Sequence, residues 1–474
     1  MNSIKKTKIV CTIGPATSAA PILSQLVDAG MNMMRLNFSH GDFKEHQERV
    51  DNLRSILKKT GKTVAILQDL AGPKIRIGEF EKGLTVLKEG AKFTLTTDKI
   101  MGDDTKVSVN YPMLPKEVKA GDHILLHDGK KALEVLEIKG NDIICKVTVG
   151  GEIKNKRGLN LPDSDLSISS ITDKDREDLK FGLKNKVDYF ALSFVRRPED
   201  ILELKEILDK AKSDARIIAK IETPQAMRCI DEIIKVTDAI MVARGDLAVE
   251  IPAEDVPLAQ KLLIQKCNQA GKPVITATQM LESMINSPVP TRAEVSDIAN
   301  AILDGTDAVM LSEETTLGQF PVKAVQMMTK IAVRMEKDPH YRDMVTSRKY
   351  SDPVKRTSDA VANGVMEVAK ESGAKLIIAL TDKGFAARTI SRFKPEQKII
   401  ALTPSERTKN QLALSYGCVP IVCKKFTDVA AAIKEAKTIV LKNKFAVKGD
   451  KIIMVFGFPL GKSGGTNSLV VETL

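Results

Sequence analysis

Apolar residues in this chain cluster in short aliphatic runs. Between the runs lie longer segments in which an apolar residue recurs every three or four positions. Runs such as Tyr189–Phe194 and Ala239-Ile-Met-Val-Ala are almost continuously apolar, the pattern of strands buried on both faces of a parallel sheet. Eight runs read this way: Lys8–Gly14, Met33–Phe38, Val64–Leu70, Tyr189–Phe194, Ile217–Glu222, Ala239–Asp246, Val274–Met280 and Ala308–Ser312. Segments such as Glu199–Ala211 and Val256–Ala270 carry the 3.6-residue period of helices and separate most of the strands. The alternation predicts an α/β protein built on a (β/α)8 barrel, formed by residues 1–70 and 167–340.

The third and fourth runs are too far apart for one helix. Between about Gly72 and Pro162 the texture changes to short alternating segments, among them Lys92–Thr97, Ile124–Leu126 and Ile143–Val149, broken by turn residues. A small inserted β-barrel domain over residues 71–166 is predicted, on the face of the barrel that carries active sites. It reads either as a lid that excludes water or as a passive insertion. After about Pro339 the pattern shifts again. The short apolar runs Lys375–Leu380, Lys398–Leu402, Val419–Val422 and Lys451–Phe456, with helices between, predict a C-terminal α/β domain over residues 350–474 and no further domain after it.

Two barrel strands end in charge: Arg216-Ile-Ile-Ala-Lys-Ile-Glu-Thr and Ala239-Ile-Met-Val-Ala-Arg-Gly-Asp. Charge beside an apolar core is costly unless it is paired or holds a metal. Active sites of parallel barrels lie at the C-terminal ends of the strands. Glu222 and Asp246 therefore read as oxygen ligands for a hard cation such as Mg²⁺, and Lys220 as a positive charge for a transferring phosphoryl group. A structural salt bridge would explain one such strand end, but two in succession favour a site.

Composition narrows the function classes. The net charge is +11 and the pI about 9.1, but Lys and Arg are interleaved with Asp and Glu, and aromatics are only 4%. That distribution argues against a nucleic-acid binder and for attraction of small anions. The six cysteines form no CxxC pair and read as reduced thiols. The apolar run after Lys5, Lys6 and Lys8 is broken by Gly14 and Pro15, so neither a signal peptide nor a membrane span is predicted and a cytoplasmic location is expected.

Further motifs follow in order: Lys8-Ile-Val-Cys-Thr-Ile-Gly-Pro-Ala-Thr, Met31-Asn-Met-Met-Arg-Leu-Asn-Phe-Ser-His-Gly, Asp69-Leu-Ala-Gly-Pro-Lys-Ile-Arg, Ile275-Thr-Ala-Thr-Gln-Met-Leu-Glu-Ser-Met and Asp304-Gly-Thr-Asp-Ala-Val-Met-Leu-Ser-Glu-Glu-Thr. Jointly, and over the whole chain, they closely resemble the pyruvate kinase family. The resemblance implies phosphoryl transfer from phosphoenolpyruvate to ADP, followed by protonation of the enolate to pyruvate. It implies Mg²⁺, with Mn²⁺ as a substitute, held by Glu222 and Asp246. Lys220, Thr278 and Arg35 would be the catalytic groups, with Arg35 on the phosphate and Thr278 near the proton path. Gly245 and Asp246, with Thr278, would position the substrate carboxylate. Asn37, His40, Arg76 and Lys156 would face the nucleotide. A homotetramer is implied as well.

Two departures from the family pattern carry further expectations. Many members have Glu where this chain has Lys74, and Thr where it has Leu70. In those members K⁺ sits beside the phosphate, held by counterparts of Asn37, Ser39, Asp69 and the residue at Leu70. Here the Lys74 ammonium would supply that charge, so K⁺ is expected not to be required. The alternative is that Lys74 points into solvent and K⁺ still binds. In the C-terminal domain, the turn Thr381-Asp-Lys-Gly-Phe-Ala-Ala-Arg lacks the hydroxyls that bind a phosphorylated effector elsewhere in the family. The loop Gly457-Phe-Pro-Leu-Gly-Lys-Ser-Gly-Gly-Thr-Asn retains backbone N–H groups able to cradle phosphate, which makes Lys383, Lys462, Ser463 and Thr466 the candidate effector residues, with an ordinary surface loop as the alternative. A Mg²⁺-dependent aldolase or lyase would share the carboxylate pair but would not need the inserted domain or the Arg35–His40 cluster.

Overall fold

The computed structural model describes residues 5–338, 357–460 and 465–474. Eight strands close into one parallel barrel: β1 (Lys8–Thr12), β2 (Met33–Asn37), β3 (Ala65–Asp69), β4 (Tyr189–Val195), β5 (Arg216–Ile221), β6 (Ala239–Ala243), β7 (Val274–Ala277) and β8 (Ala308–Leu311). Each strand pairs with its neighbours in sequence, and β1 closes on β8. The two-residue period of the strands sends Val10, Met33, Leu67, Tyr189, Ile218, Met241 and Met310 into the barrel interior. The alternate residues, such as Ile9, Ile66, Phe190, Ile240 and Val309, pack outward against the helices.

The sixth and seventh strands are shorter than their hydrophobicity predicts. The run that begins at Ala239 breaks after Ala243, and Arg244–Glu250 is a helix. Asp246 thus sits in a helical first turn rather than on a strand end. Past β7, Thr278 and Gln279 take φ of +71° and +55°, a left-handed turn that ends the strand.

Between β3 and β4 lies the β insertion. Its six-stranded sheet runs in the order Leu159–Asn160, His123–Leu126, Lys131–Lys139, Asp142–Val149, Lys92–Thr96, Lys106–Ser108. A two-stranded ribbon pairs Leu84–Leu87 with Gly151–Lys154, and isolated bridges join Arg76 to Gly158, Ile77 to Val109 and Phe80 to Gly102. Its hydrophobic core, which includes Phe80, Phe93 and Tyr111, is separate from that of the barrel.

In the C-terminal domain β9 (Leu376–Leu380), β10 (Lys398–Thr403), β11 (Cys418–Val422) and β12 (Lys451–Phe456) form a parallel sheet in the order β11-β10-β9-β12. A fifth strand that the hydrophobic pattern did not reveal, β13 (Ser468–Thr473), adds antiparallel to β12 at the edge. Its half-exposed residues lack the aliphatic density of a buried strand. This domain closes the N-terminal mouth of the barrel. Ala413 and Leu414 enter the barrel's interior cluster, Tyr189 Oη donates to the Gln411 carbonyl at 2.7 Å, and Lys394 pairs with Asp307 at 2.8 Å. All six cysteines are free. Among the described residues no helix is long and apolar enough to cross a membrane.

Candidate functional site

At the C-terminal mouth of the barrel Arg35 of β2, Asp69 of β3, Ser193 of β4 and Lys220 of β5 form a chain of contacts, joined by Thr12 of β1 and by Glu222 just past β5. The register sets this up: Asn37 lies beside Asp69, and Asp69 beside Ala191. Lys220 Nζ donates to Ser193 Oγ at 2.6 Å, lies 2.9 Å from Glu222 Oε1 and 3.4 Å from Asp69 Oδ1. Asp69 Oδ2 accepts from Arg35 Nε at 2.6 Å, and Arg35 Nη1 donates to Thr12 Oγ1 at 2.9 Å. All of these charged groups are buried. Burial pulls the Lys220 ammonium toward its neutral form, but the Asp69 and Glu222 carboxylates outweigh this and hold it above the ordinary lysine value. Burial likewise pushes the Asp69 carboxyl up, and Lys220 and Arg35 bring it to a net lowering.

Glu222 differs. Its Oε2 accepts from the Phe194 backbone N–H at 2.6 Å, made available by a bulge in β4 where Phe194 has φ +52°. Burial raises its pKa, Lys220 opposes, and the charge of Asp246 raises it further. Oε1 has the Lys220 ion pair but no donor in hydrogen-bonding geometry among the described residues. A buried carboxylate oxygen with spare capacity beside a second carboxylate suits a hard cation, so the pair fits Mg²⁺ or Mn²⁺. The described residues gather no group of three or more His, Cys, Asp or Glu, which leaves the other coordination positions to water or substrate oxygens.

The turn after β7 is held against the Arg244–Glu250 helix. Gly245 N–H donates to Thr278 Oγ1 at 2.8 Å, and Thr278 Oγ1 donates to the Ala277 carbonyl at 2.6 Å. Arg244 clamps the same turn, with Nη2 on the Thr278 carbonyl at 2.7 Å and Nη1 on Asp297 at 2.7 Å. Gly72 has φ +68°, and a Cβ there would lie 3.0 Å from Ser193 Cβ, so the Asp69–Pro73 turn needs glycine to pass Ser193.

The remaining candidates fall in separate places. Asn37 ends β2 and its Oδ1 accepts from Ser39 N–H at 3.2 Å; Ser39 and His40 are exposed. Arg76 and Lys156 meet at the hinge of the insertion, where Arg76 Nη1 donates to the Lys156 carbonyl at 3.0 Å, while Lys156 Nζ pairs with Glu79 at 2.7 Å. No hydrogen bond or ion pair joins that hinge pair to Asn37 or His40 among the described residues. Leu70 is buried and offers only aliphatic surface beside Asp69. Lys74 makes no ion pair among the described residues. Its side chain runs along Gly158 at the hinge, its Cε 2.9 Å and its Nζ 3.7 Å from where a Gly158 Cβ would stand. The expected grouping of Lys74 with Asn37, Ser39 and Asp69 is therefore not a set of direct contacts. In the C-terminal domain Lys383 and Thr466 line one cavity of about 280 Å³ with Lys424 and Lys425; Lys462 and Ser463 lie outside the described residues.

Ser193, Arg244 and Glu314 were not foreseen. Glu314 accepts from the Leu281 and Ser312 backbone N–H groups at 3.0 and 2.7 Å and so ties the ends of β7 and β8 together. Ser193 was legible as the one aliphatic hydroxyl in the apolar run Tyr189–Phe194. Nothing local marked Arg244 as a clamp.

A closed parallel barrel with fixed, charge-paired lysine and arginine at its C-terminal mouth and a hinged β insertion beside them defines a barrel enzyme equipped for an anionic substrate. Comparison with known proteins specifies the class. The family model described as pyruvate kinase, barrel domain, matches residues 4–325, and that described as pyruvate kinase, alpha/beta domain, matches residues 359–472. The chain is 44% identical to a pyruvate kinase of Clostridium perfringens, over 99% of this chain and 100% of that one. It is 45% identical to one of Thermotoga maritima, over 99% of both. A crystal structure of a pyruvate kinase from Cryptosporidium parvum superimposes with a TM-score of 0.95 at 38% identity, covering 99% of this chain and 96% of the other. The chain belongs to the pyruvate kinase family, and so to the phosphotransferases.

Proposed function

We propose that the protein transfers the phosphoryl group of phosphoenolpyruvate to ADP, giving ATP and, after protonation of the enolate, pyruvate. The observation that carries this reading is the Lys220 ammonium, buried and held by Ser193, Glu222 and Asp69 at the barrel mouth. Phosphoryl transfer asks a protein for positioning and for positive charge where negative charge moves. Lys220 provides that charge at the transferring phosphoryl and the enolate oxygen, and the carboxylates that keep it protonated also fix its place. Arg35, oriented by Asp69 and Thr12, grips the phosphate. Glu222 and Asp246 would hold Mg²⁺ or Mn²⁺, which when bound neutralises substrate oxygens and orients carboxylate and phosphate together. The Gly245–Asp246 backbone and Thr278 position the carboxylate, and the Thr278 hydroxyl lies near the path by which the enolate carbon is protonated. Asn37, His40, Arg76 and Lys156 face the nucleotide, the last two from the hinge, so that closing the insertion completes that subsite.

K⁺ is not required in this reading. Lys74 carries an ammonium with no carboxylate partner among the described residues at the hinge beside the site, and the Leu70 side chain supplies no oxygen for an ion. A phosphorylated effector is accommodated in the C-terminal cavity, where Lys383, Lys424 and Lys425 supply charge and the buried Thr466 Oγ1 has no hydrogen-bond partner among the described residues. The protein acts as a cytoplasmic homotetramer. The test is a coupled assay for pyruvate from phosphoenolpyruvate and ADP, with ATP measured in parallel. Equimolar pyruvate and ATP on addition of Mg²⁺ support the reading. Pyruvate without ATP, or neither product, contradicts it.

A further inference from the structure

Glu250 ends the Arg244–Glu250 helix and is only 9% exposed. Nothing on its own helix favours a carboxylate there. The C-terminus of a helix is the negative end of its dipole. Among the described residues Glu250 has no ion-pair partner. Burial pushes its pKa up to about 7; the Asn160 and Leu161 donors oppose this, and the Asp246 and Glu222 charges add to it. A carboxyl so placed is costly, and an aliphatic residue would avoid the cost. What Glu250 gains is a contact with the insertion: Asn160 Nδ2 donates to its Oε1 at 2.7 Å, and both side chains are buried.

Asn160 lies on the segment by which the chain returns from the insertion to the barrel. The same segment carries Lys156. It is tied to the outgoing segment by the Arg76–Gly158 bridge, by Arg76 Nη1 on the Lys156 carbonyl at 3.0 Å, and by Leu159 N–H on the Ile75 carbonyl at 2.9 Å. Leu159–Asn160 also pairs with His123–Leu126 as the edge of the six-stranded sheet, so a displacement of the insertion carries Asn160 with it. A second contact lies beside this one. At Gly129, in the left-handed turn His127–Gly129, a Cβ would stand 3.6 Å from Val249 Cγ1. The other end of the helix holds the barrel mouth: Gly245 N–H and Arg244 Nη2 bind the Thr278 turn at 2.8 and 2.7 Å, and Asp246 lies in the first turn. A cavity of about 50 Å³ separates Lys74, Phe194, Asn160 and Glu250. The hinge is therefore not packed solid against the barrel, and the Asn160–Glu250 bond is a specific tie.

We infer that Glu250 is a positioning residue that couples the insertion to the metal and carboxylate groups of the barrel mouth, with the Arg244–Glu250 helix as the rigid link. The inference rests on the reading of that mouth as a phosphoryl-transfer site. Metal and substrate held at Asp246, Gly245 and Thr278 fix one end of the helix. Glu250 at the other end then fixes Asn160, and with it Lys156, where the nucleotide is met. Such coupling is reciprocal, so nucleotide held by the insertion also steadies Asp246.

Hydrogen exchange on the full chain tests it, with Mg²⁺ and phosphoenolpyruvate added and nucleotide left out so that nothing turns over. In wild type exchange is expected to slow both in 244–250 and in 156–161. In Glu250→Ala and in Asn160→Ala the slowing should persist in 244–250 and vanish from 156–161, and the double variant should match either single one. Glu250→Gln keeps the acceptor oxygen and is expected to restore the response. In the pyruvate assay the two alanine variants should raise KM for ADP about tenfold, an ordinary size for coupling between sites, with phosphoenolpyruvate affinity by direct binding within about twofold of wild type. Slowing of 244–250 alone in wild type, slowing of 156–161 in Glu250→Ala equal to wild type, or alanine variants that lose thermal stability with no change in KM for ADP would overturn the inference and leave the functional reading standing. No slowing of either segment in wild type would overturn both.

Discussion

At the C-terminal mouth of the barrel Lys220 lies between Glu222 and Asp69, and Arg35 lies against Asp69; at the N-terminal mouth Lys5 and Lys8 rest on an amide and a carbonyl oxygen. All four cations are buried. Their surroundings drive them apart: Lys220 is held above the ordinary lysine value, whereas Lys5 falls to about 7. Burial acts alike on both, so the difference comes from the partners. Carboxylates at the upper mouth keep the cations charged and oriented before substrate arrives, which is the preorganisation that transition-state stabilisation needs. At the lower mouth the direct contacts of Lys5 and Lys8 are neutral oxygens, and Glu336 offsets the effect of burial on Lys5 only in part.

Short of removing Lys220 itself, the largest expected break in this contrast is removal of a carboxylate from the upper mouth. Glu222→Gln or Asp246→Asn should lower kcat on the order of 10²-fold and shift the Mg²⁺ titration to higher concentration, since the ion needs anionic oxygens. An unchanged titration and rate would remove these residues from the metal site. The next effect concerns Lys74. Assayed in tetramethylammonium salts at constant ionic strength, wild type should keep its activity without K⁺, and Lys74→Glu should gain a K⁺ requirement of about tenfold, because the substitution changes local charge by two units. A loss of about 100-fold in wild type on removing K⁺ would show that the hinge ammonium does not stand in for the ion.

At the lower mouth Leu414 plugs the barrel interior and is fully buried. Leu414→Ala should destabilise the protein by about 2–5 kcal/mol, read by denaturant unfolding, with kcat of the folded protein little changed. Stability equal to wild type would mean that the plug does not pack as described. The smallest effect is that of His46, which stacks on Phe38 at 4.2 Å and donates from Nε2 to the His40 carbonyl at 3.0 Å. Burial and the Arg49 charge lower its pKa to about 4. The unfolded chain binds a proton near pH 6.5 and the folded chain does not, so this contribution is complete above about pH 6.5 and is lost as pH falls toward 4. Loss on the order of 1–2 kcal/mol is expected by pH 5, and His46→Gln should flatten that slope in urea titrations at pH 7 and pH 5. An identical slope in the variant would reassign the pH dependence to other groups.

Much of this contrast was legible along the chain. Lys220, Glu222 and Asp246 stood out because charge followed an aliphatic run, and the eight runs gave the barrel. The Arg244–Glu250 helix was hidden because Ala-Ile-Met-Val-Ala passes into Arg-Gly-Asp-Leu-Ala-Val-Glu without a break in hydrophobicity. Arg244, Ser193 and Glu314 could not be given roles because each has a partner far away in sequence, the Thr278 carbonyl, Lys220 and the Leu281 backbone N–H respectively, and such pairing depends on how the elements meet rather than on local pattern. The course of Lys74 along Gly158 depends on how the hinge folds back, which no local periodicity records.

The most direct test of the account compares the two mouths in one assay. Lys220→Met at the upper mouth and Lys330→Glu at the lower should be measured for kcat in the pyruvate assay and for phosphoenolpyruvate affinity by direct binding. Loss of Lys220 should lower kcat on the order of 10²–10³-fold or more while substrate binding weakens far less, because the charge acts chiefly in the transition state. Lys330→Glu should leave kcat within about twofold of wild type, since surface substitutions away from a site have small effects. Near-normal turnover in Lys220→Met, or a comparable loss in Lys330→Glu, would contradict the assignment of phosphoryl transfer to the carboxylate-paired mouth.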